Sequence, residues 1–186
     1  MKKIATLAAM LAAAGFTTSA NAYDSGGFVR AEVGNTTFET DTALGSDESD
    51  DTSFALRGGY YFSPFFGVEG FYSRYADTDE DGVEATMHGF GAGVVGKYNF
   101  GPDYDGFYVS GRAGIARITS DVSVSGLGSS DASDTTPYFG VGLGYDFSYN
   151  MGVGVHYDIA SPSYEVAGDD LELDLKTASI SFEYRF

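Results

Sequence analysis

The feature that most constrains this chain is the alternation of apolar residues with glycine or polar residues along most of its length. Residues 139–147 read FGVGLGYDF, so that Phe139, Val141 and Leu143 are separated by single glycines. A period of two residues matches an extended strand, whose side chains point alternately to opposite faces, and does not match the helical period of 3.6. The chain is therefore predicted to be all-β.

Eight segments share this alternation, and turn-forming residues separate them. They are Phe28 to Asn35, Ser53 to Phe62, Phe66 to Tyr75, Met87 to Phe100, Phe107 to Ile118, Tyr138 to Phe147, Met151 to Ile159 and Leu175 to Phe186. One face of each segment is apolar, and the other carries glycine, small residues and single charges. An apolar outside around a narrow polar interior is typical of an antiparallel up-and-down transmembrane β-barrel with eight strands. A soluble extracellular β-domain is the alternative.

The connections and the aromatic residues favour the barrel. Connections after the second, fourth and sixth segments are short, whereas those after the first, third, fifth and seventh are mostly long and acidic loops, as in bacterial outer-membrane barrels. Ten aromatic residues fall on the apolar faces near the short-turn end, where they would form an interfacial girdle. They are Tyr60, Phe62, Phe66, Tyr98, Phe100, Phe107, Tyr145, Phe147, Tyr184 and Phe186.

The N-terminus predicts export. Lys2 and Lys3 precede an apolar stretch from Ile4 to Phe16 that is too short to span a bilayer, and Ala20-Asn21-Ala22 follows as a cleavage pattern. We expect residues 1–22 to be a cleaved signal peptide and residues 23–186 to be one barrel domain. Cleavage would remove two lysines and change the formal charge from −17 to −19. So acidic a chain is not expected to bind nucleic acid, because it would repel phosphates.

Three short motifs resemble the transmembrane domain of the outer membrane protein A family. They are Gly58-Gly59-Tyr60 with Pro64, Gly67, Glu69 and Tyr72; Pro137-Tyr138-Phe139 through Gly142 to Tyr145; and the ending Tyr184-Arg185-Phe186. The resemblance implies a monomer in the outer membrane of a Gram-negative bacterium, among its lipids and lipopolysaccharide. It also implies that periplasmic chaperones and the barrel-assembly machinery handle the chain, with Phe186 as the assembly signal.

The same resemblance implies that Glu69 belongs to an ion network in the lumen, with Arg30 and Arg57 as partners. The position of the family's carboxylate on the sixth strand is Gly144 here, and Asp146 lies one inward step further along. This departure leaves the arrangement of the network open.

Alternation alone places most of the basic residues inside the predicted barrel. The inward residues are Arg30, Arg57, Lys97, Arg112 and Arg185, with Glu32, Glu69, Asp146, Asp158, Glu183 and His156 on the same faces. An eight-stranded barrel is only wide enough for its own side chains, so these charges must pair or bind water. We interpret them as a structural plug, with an ion pathway as the alternative.

The remaining basic residues of the mature chain, Arg74, Arg117 and Lys176, are predicted to face outward near the long-loop end. There they would contact lipopolysaccharide phosphates, which arginine binds in a bidentate manner. Ordinary solvation at the rim is the alternative.

Two further motifs are weaker. Asp77-Thr78-Asp79-Glu80-Asp81-Gly82 matches the first half of a calcium loop, but the twelfth position, which needs a bidentate glutamate, is His88. We expect no cofactor beyond weak divalent-cation binding at Asp77, Asp79 and Asp81. His156 and Asp158 form an inward pair to which no nucleophilic serine is assigned, so no enzyme is expected.

The predicted function is a structural and surface-contact role: membrane integrity, or adhesion through acidic loops. A small solute pore is the first alternative. A lipid-modifying enzyme is the second.

Overall fold

Alternating side chains produce long extended strands in the computed structural model, which describes residues 25–42, 45–80, 83–101, 105–124, 128–166 and 169–186. The strands are β1 (Gly26–Thr42), β2 (Gly45–Ser63), β3 (Phe66–Glu80), β4 (Val83–Asn99), β5 (Gly106–Val124), β6 (Gly128–Ser148), β7 (Met151–Ala160), β8 (Ser163–Val166) and β9 (Asp169–Arg185). Within these ranges, no helix is long and apolar enough to cross a membrane.

The strands close into an eight-stranded antiparallel barrel, which confirms the predicted fold. Consecutive strands pair from β1 to β7, β7 pairs with β9, and β9 returns to β1. The four-residue β8 follows β7 and, among the described residues, pairs with the start of β9 alone. At the seam, the Gly27 and Phe186 main chains exchange two hydrogen bonds of 3.0 and 2.9 Å.

The strands are longer than the sequence predicted, and most of the predicted long loops are strand. The β1–β2 ladder continues from Val33↔Phe54 to Thr42↔Gly45, and the β5–β6 ladder continues to Val124↔Gly128. Main-chain hydrogen bonds continue a ladder whatever the polarity of its side chains. The apolar alternation stops before the ladder does, so it does not mark the polar continuation of a strand.

The predicted girdle residues lie at the short-turn end of the barrel. Nine of the ten are exposed on the outer surface, and rings pair along it, with centroids 5.2 Å apart for Tyr98–Phe100 and 5.0 Å for Phe107–Tyr145. Phe186 is only half-exposed, because its ring lies over Gly27, where an added Cβ would come within 2.7 Å of it. The outer surface is thus aromatic at one end.

Candidate functional site: the ion network of the lumen

Among the residues that the structure describes, five basic and five acidic side chains form a network in the lumen, so the formal charge of this network is zero. Nine of the ten residues are buried, and Asp158 is half-buried. We divide them into an inner cluster near the short turns (Arg30, Lys97, Asp146, Glu183, Arg185) and an outer cluster (Glu32, Arg57, Glu69, Arg112, Asp158).

The inner cluster surrounds two carboxylates. Lys97 Nζ donates hydrogen bonds to Asp146 Oδ1 at 2.9 Å and to Glu183 Oε1 at 3.2 Å. Arg30 Nε donates to Glu183 Oε2 at 2.9 Å. Arg185 completes the group, with Nη2 2.6 Å from Asp146 Oδ2 and Nε 2.9 Å from Glu183 Oε1. Each carboxylate therefore meets at least two cations, which compensates for its removal from water.

The outer cluster is built around Arg57 and Arg112. Arg57 donates to Glu32 Oε2 and to Glu69 Oε1, both at 3.0 Å. Arg112 donates to Glu32 Oε1 at 2.6 Å and, from Nε, to Asp158 Oδ1 at 2.6 Å. Its Nη2 also contacts Asp158 Oδ2. Glu32 thus joins both arginines, and the cluster connects β1, β2, β3, β5 and β7.

Arg30 links the two clusters. Its Nη1 lies 3.9 Å from Glu32 Oε1 and 3.9 Å from Glu69 Oε2, while its Nε binds Glu183. Of the two partners that the resemblance implied for Glu69, Arg57 is hydrogen-bonded to it and Arg30 is at ion-pair distance only. Asp146 belongs to the inner cluster.

Aromatic rings support these charges from within the lumen, a feature that sequence reasoning missed. The Tyr138 hydroxyl donates to Glu69 Oε1 at 2.8 Å, and the Arg57 guanidinium lies 4.4 Å from the centroid of Phe71. Lys97 Nζ lies 3.8 Å from the centroid of Tyr108. Phe71 has the same parity as Glu69, so alternation alone could have placed it inside.

Apolar side chains close the lumen on the long-hairpin side of the network and lie among its charges at the short-turn end. On the short-turn side, Phe28, Tyr61 and Val95 form a buried cluster. On the long-hairpin side, Ile118 and Leu175 are 0% and 1% exposed. They pack with Phe71, Tyr75, Ala116, Tyr138 and Ala160. The outer cluster therefore lies beneath an apolar layer, and the inner cluster packs beside a second apolar group, with Phe28 opposite Arg185 across the β1–β9 ladder.

A cavity of about 30 Å³ lies among Glu32, Arg57, Asp158, Ser179 and Leu175. This volume accommodates on the order of one water molecule. The Ser179 hydroxyl, which lines the cavity, is buried without a hydrogen-bond partner among the described residues. The cavity is polar on the network side.

His156 and Asp158 do not form the pair that a catalytic reading needs. His156 Nε2 is 2.9 Å from Ser181 Oγ, and both residues are buried in the lumen. Asp158 is held by Arg112 instead. Two residues of an acid–base pair must lie within hydrogen-bond reach of each other, and here each is bound elsewhere.

The three outward basic residues do not lie together. Arg74 is opposite His88 across β3–β4, and Arg117 is opposite Phe90, two residues along the same face of β4. Lys176 lies across the barrel, opposite Thr37 and Ile159. We call Arg74, His88 and Arg117 the basic patch. Arg117 Nη2 donates to Ser133 Oγ at 2.7 Å, and His88 Nδ1 is 3.4 Å from Asp121.

The predicted divalent-cation residues fall on a strand end. Asp77 and Asp79 lie on β3, where Asp79 pairs with Glu84, and Asp81 lies outside the described residues. The segment was predicted as a loop, and it is strand as far as Glu80. Among the side chains that the structure describes, no three acidic or histidine groups are placed to hold a metal ion. Weak cation binding stays a prediction.

Comparison with known proteins gives a consistent picture. Residues 5–186 match the family model of the outer membrane protein beta-barrel domain. The fold is similar to Neisserial surface protein A, with 14% identity over 86% of this chain and 97% of that one and a TM-score of 0.69. It is also similar to OprG of Pseudomonas aeruginosa, with 13% identity over 88% and 97% of the two chains and a TM-score of 0.57.

A third similar structure is Ail, the attachment invasion locus protein of Yersinia pestis, with 15% identity, a TM-score of 0.54 and 86% and 99% coverage. At these identities the structures show the fold alone. The comparison with curated protein sequences matched none of them.

Proposed function

The chain belongs to the outer membrane protein beta-barrel domain family, and from that premise we propose that it is a structural and surface-contact barrel whose lumen is plugged by its own side chains. Its location is the outer membrane of a Gram-negative bacterium. The proposal concerns what the barrel does there: it stabilises the membrane and presents its long hairpins to partners outside the cell.

One observation supports the closed lumen above all: a charge-neutral network of buried ion pairs fills it, with an apolar layer on the long-hairpin side and apolar side chains among the charges at the short-turn end. A hydrated ion that entered would have to displace Ile118 or Leu175 on one side and Phe28 or Tyr61 on the other. Between them it would have to replace hydrogen bonds among buried charges, and separating a buried pair costs about 3–5 kcal/mol. A steady water path is therefore not expected.

Conductance in planar bilayers tests the plug. The purified barrel is expected to give no steady channels in 1 M KCl. The matched control is Ile118→Gly with Leu175→Gly, which removes bulk from the outer apolar layer and leaves the ion pairs unchanged; it is expected to give brief openings. Steady channels from the unaltered protein would contradict the plug and support the solute-pore alternative.

The surface-contact role is supported by where the charge lies. The lumen is neutral, so the net negative charge belongs to the rest of the chain, including the hairpins that extend beyond the barrel. Two of the similar structures are a surface protein and an attachment invasion locus protein by name. A catalytic role is not proposed, because His156 and Asp158 are engaged separately in the lumen. Unchanged lipid A masses in cells with and without the protein would agree with this.

We also propose that the basic patch contacts lipopolysaccharide phosphates. Arg74 on β3 and Arg117 on β5 flank β4 on the outer surface, beside the rings of Tyr72 and Phe90. Clustered guanidinium groups bind phosphate more strongly than a single ammonium group. Of the three residues that the sequence suggested, Arg74 and Arg117 lie in this patch, and Lys176, which lies across the barrel, serves as the control.

Thermal unfolding with and without lipopolysaccharide checks this proposal. Arg74→Gln with Arg117→Gln is expected to remove at least half of the increase in melting temperature that lipopolysaccharide gives. Lys176→Gln should leave that increase unchanged. Equal effects of the two changes would mean that the contact is general electrostatics.

A further inference from the structure

Above the membrane-spanning wall, β2 and β3 separate. Their ladder runs from the Ser63–Phe66 turn to Phe54↔Arg74 and stops there, although β2 extends back to Gly45 and β3 extends on to Glu80. Residues 45–53 remain paired with β1, and residues 76–80 remain paired with β4. Two strand edges therefore lie on either side of a gap, which we call the β2–β3 gap. Among the described residues no ladder crosses it.

The direction of the main-chain groups follows from the alternation of antiparallel pairing, in which successive residues bond to opposite neighbours. Gly27 bonds to Phe186, so the odd residues of β1 bond to β9 and the even ones to β2. Thr36 pairs with Asp51, which leaves the N–H and C=O groups of Asp50 and Thr52 directed into the gap. Thr52 N–H accordingly bonds to the Asp51 side chain at 2.7 Å and not to a strand.

The other edge follows the same rule. Lys97 N–H bonds to Phe65 O, so odd residues of β4 bond to β3. Ala76 and Thr78 pair with Met87 and Ala85. The main-chain groups of Asp77 and Asp79 are thus directed into the gap from the opposite side.

Both edges of the gap are acidic, which bears on what could bind between them. Residues 45–53 read GSDESDDTS and residues 75–80 read YADTDE, which together contain seven acidic residues and no basic one. Like charges on facing strands destabilise their pairing. A strand with positive side chains would instead be attracted, because each acidic residue at the gap would interact favourably with its charges.

The barrel has a second gap, between β6 and β8, and its edges are protected. The β6–β7 ladder ends at Tyr138↔Ala160, and Pro137 follows on the β6 edge without an N–H group. The Thr136 hydroxyl spans the gap to Ser161 O at 2.8 Å. Proline and cross-gap bonds are the usual ways in which proteins blunt an edge. Thr135 on this edge provides a matched control for Thr52.

We propose that the β2–β3 gap binds an extended, lysine- or arginine-bearing segment of another protein by strand addition. The segment forms main-chain hydrogen bonds with Asp50 and Thr52 on one side and with Asp77 and Asp79 on the other, while its basic side chains balance the acidic edges. A second copy of this chain does not fit, because it would bring the same acids. The inference rests on the proposed surface-contact role and names the class of partner.

The test uses the whole barrel in lipid nanodiscs and two synthetic peptides. One peptide is (Lys-Thr)4, and the other has the same sequence with N-methyl groups on alternate residues, which keeps the charge and removes the hydrogen-bond donors of one edge. The first is expected to bind and to slow amide exchange at Asp50 and Thr52 at least tenfold. N-methylation should weaken binding at least tenfold. Equal binding of the two peptides would overturn the proposal, since charge alone would then explain it.

Matched variants complete the experiment. Thr52→Pro removes a main-chain donor of the gap and should weaken the binding of (Lys-Thr)4 at least fivefold. Thr135→Pro should leave the affinity for this peptide within twofold of that of the unaltered protein. If Thr52→Pro does not fold, comparing the binding of the two peptides to the unaltered protein still tests the proposal. Protection of the same amides by Ca²⁺ alone, without peptide binding, would make the gap a cation site and overturn the proposal. Conductance tests the closed lumen independently. A negative result with the peptides would therefore not contradict the proposed plug.

Discussion

Glycine has two different uses in this barrel, depending on the face it occupies. On the inside, Gly140 leaves room for its neighbours: an added Cβ would overlap Asp158 Oδ1 and come within 2.9 Å of Arg112 Cγ. On the outside, Gly70 has open space, and the nearest atom to an added Cβ is Gly91 O at 3.7 Å. Inward glycines therefore permit the ion network, while outward ones do not affect it.

Gly140→Ala tests this at the level of one methyl group. It should lower the free energy of unfolding by about 1–3 kcal/mol, because Arg112 and Asp158 must move apart. Gly70→Ala is the matched control and should raise the free energy of unfolding by roughly 0.5–1 kcal/mol, since alanine suits an extended strand better than glycine. Urea unfolding in lipid vesicles measures both. A loss at Gly70 as large as at Gly140 would contradict the explanation.

The sequence predicts which side chains face the lumen, but it does not predict which of them pair with each other. The inward positions of Arg57 and Glu69 follow from a period of two, as does that of Phe71, although the aromatic pattern by itself predicts only an outer girdle. The pairing of Arg112 with Glu32, on β5 and β1, depends on the closure and stagger of the barrel. No local pattern encodes that geometry.

The strands themselves have two parts: a wall that is paired on both sides, and an extension in which some edges are not. Sequence reasoning found the eight strands because the wall carries the apolar alternation, and it missed the extensions because their residues are polar. The separation of β2 from β3 at Phe54↔Arg74 is likewise invisible to a pattern that treats each segment alone. It is a relation between two segments, which no single segment encodes.

Amide hydrogen exchange can distinguish the paired wall from the unpaired edges of the extension. Asp51 bonds to β1, whereas the main-chain groups of Asp50 are directed into the β2–β3 gap. The amide of Asp50 should therefore exchange at least tenfold faster than that of Asp51, and Gly58, in the wall, should exchange slowest of the three. Equal protection of Asp50 and Asp51 would mean that the gap closes in solution.

For the whole molecule, the separation of charge is the main organising feature. The interior is neutral in formal charge, the membrane-facing wall is apolar and aromatic, and the long hairpins are acidic. Composition alone indicated a strongly negative chain. It could not show that the basic residues lie mainly inside, which leaves the outer ends almost purely acidic. This division separates what holds the barrel closed from what the barrel presents to its surroundings.

The distribution of lumen charges also governs how the barrel can enter a bilayer. Arg30 on β1 needs Glu183 on β9, Lys97 on β4 needs Asp146 on β6, and Arg112 on β5 needs Asp158 on β7. Adjacent hairpins inserted one at a time would leave most of these charges facing hydrocarbon without a counterpart. Stepwise insertion is therefore unfavourable, and the sheet should cross the bilayer as a nearly complete unit. Pairing of the first strand with the last then becomes the step that completes insertion.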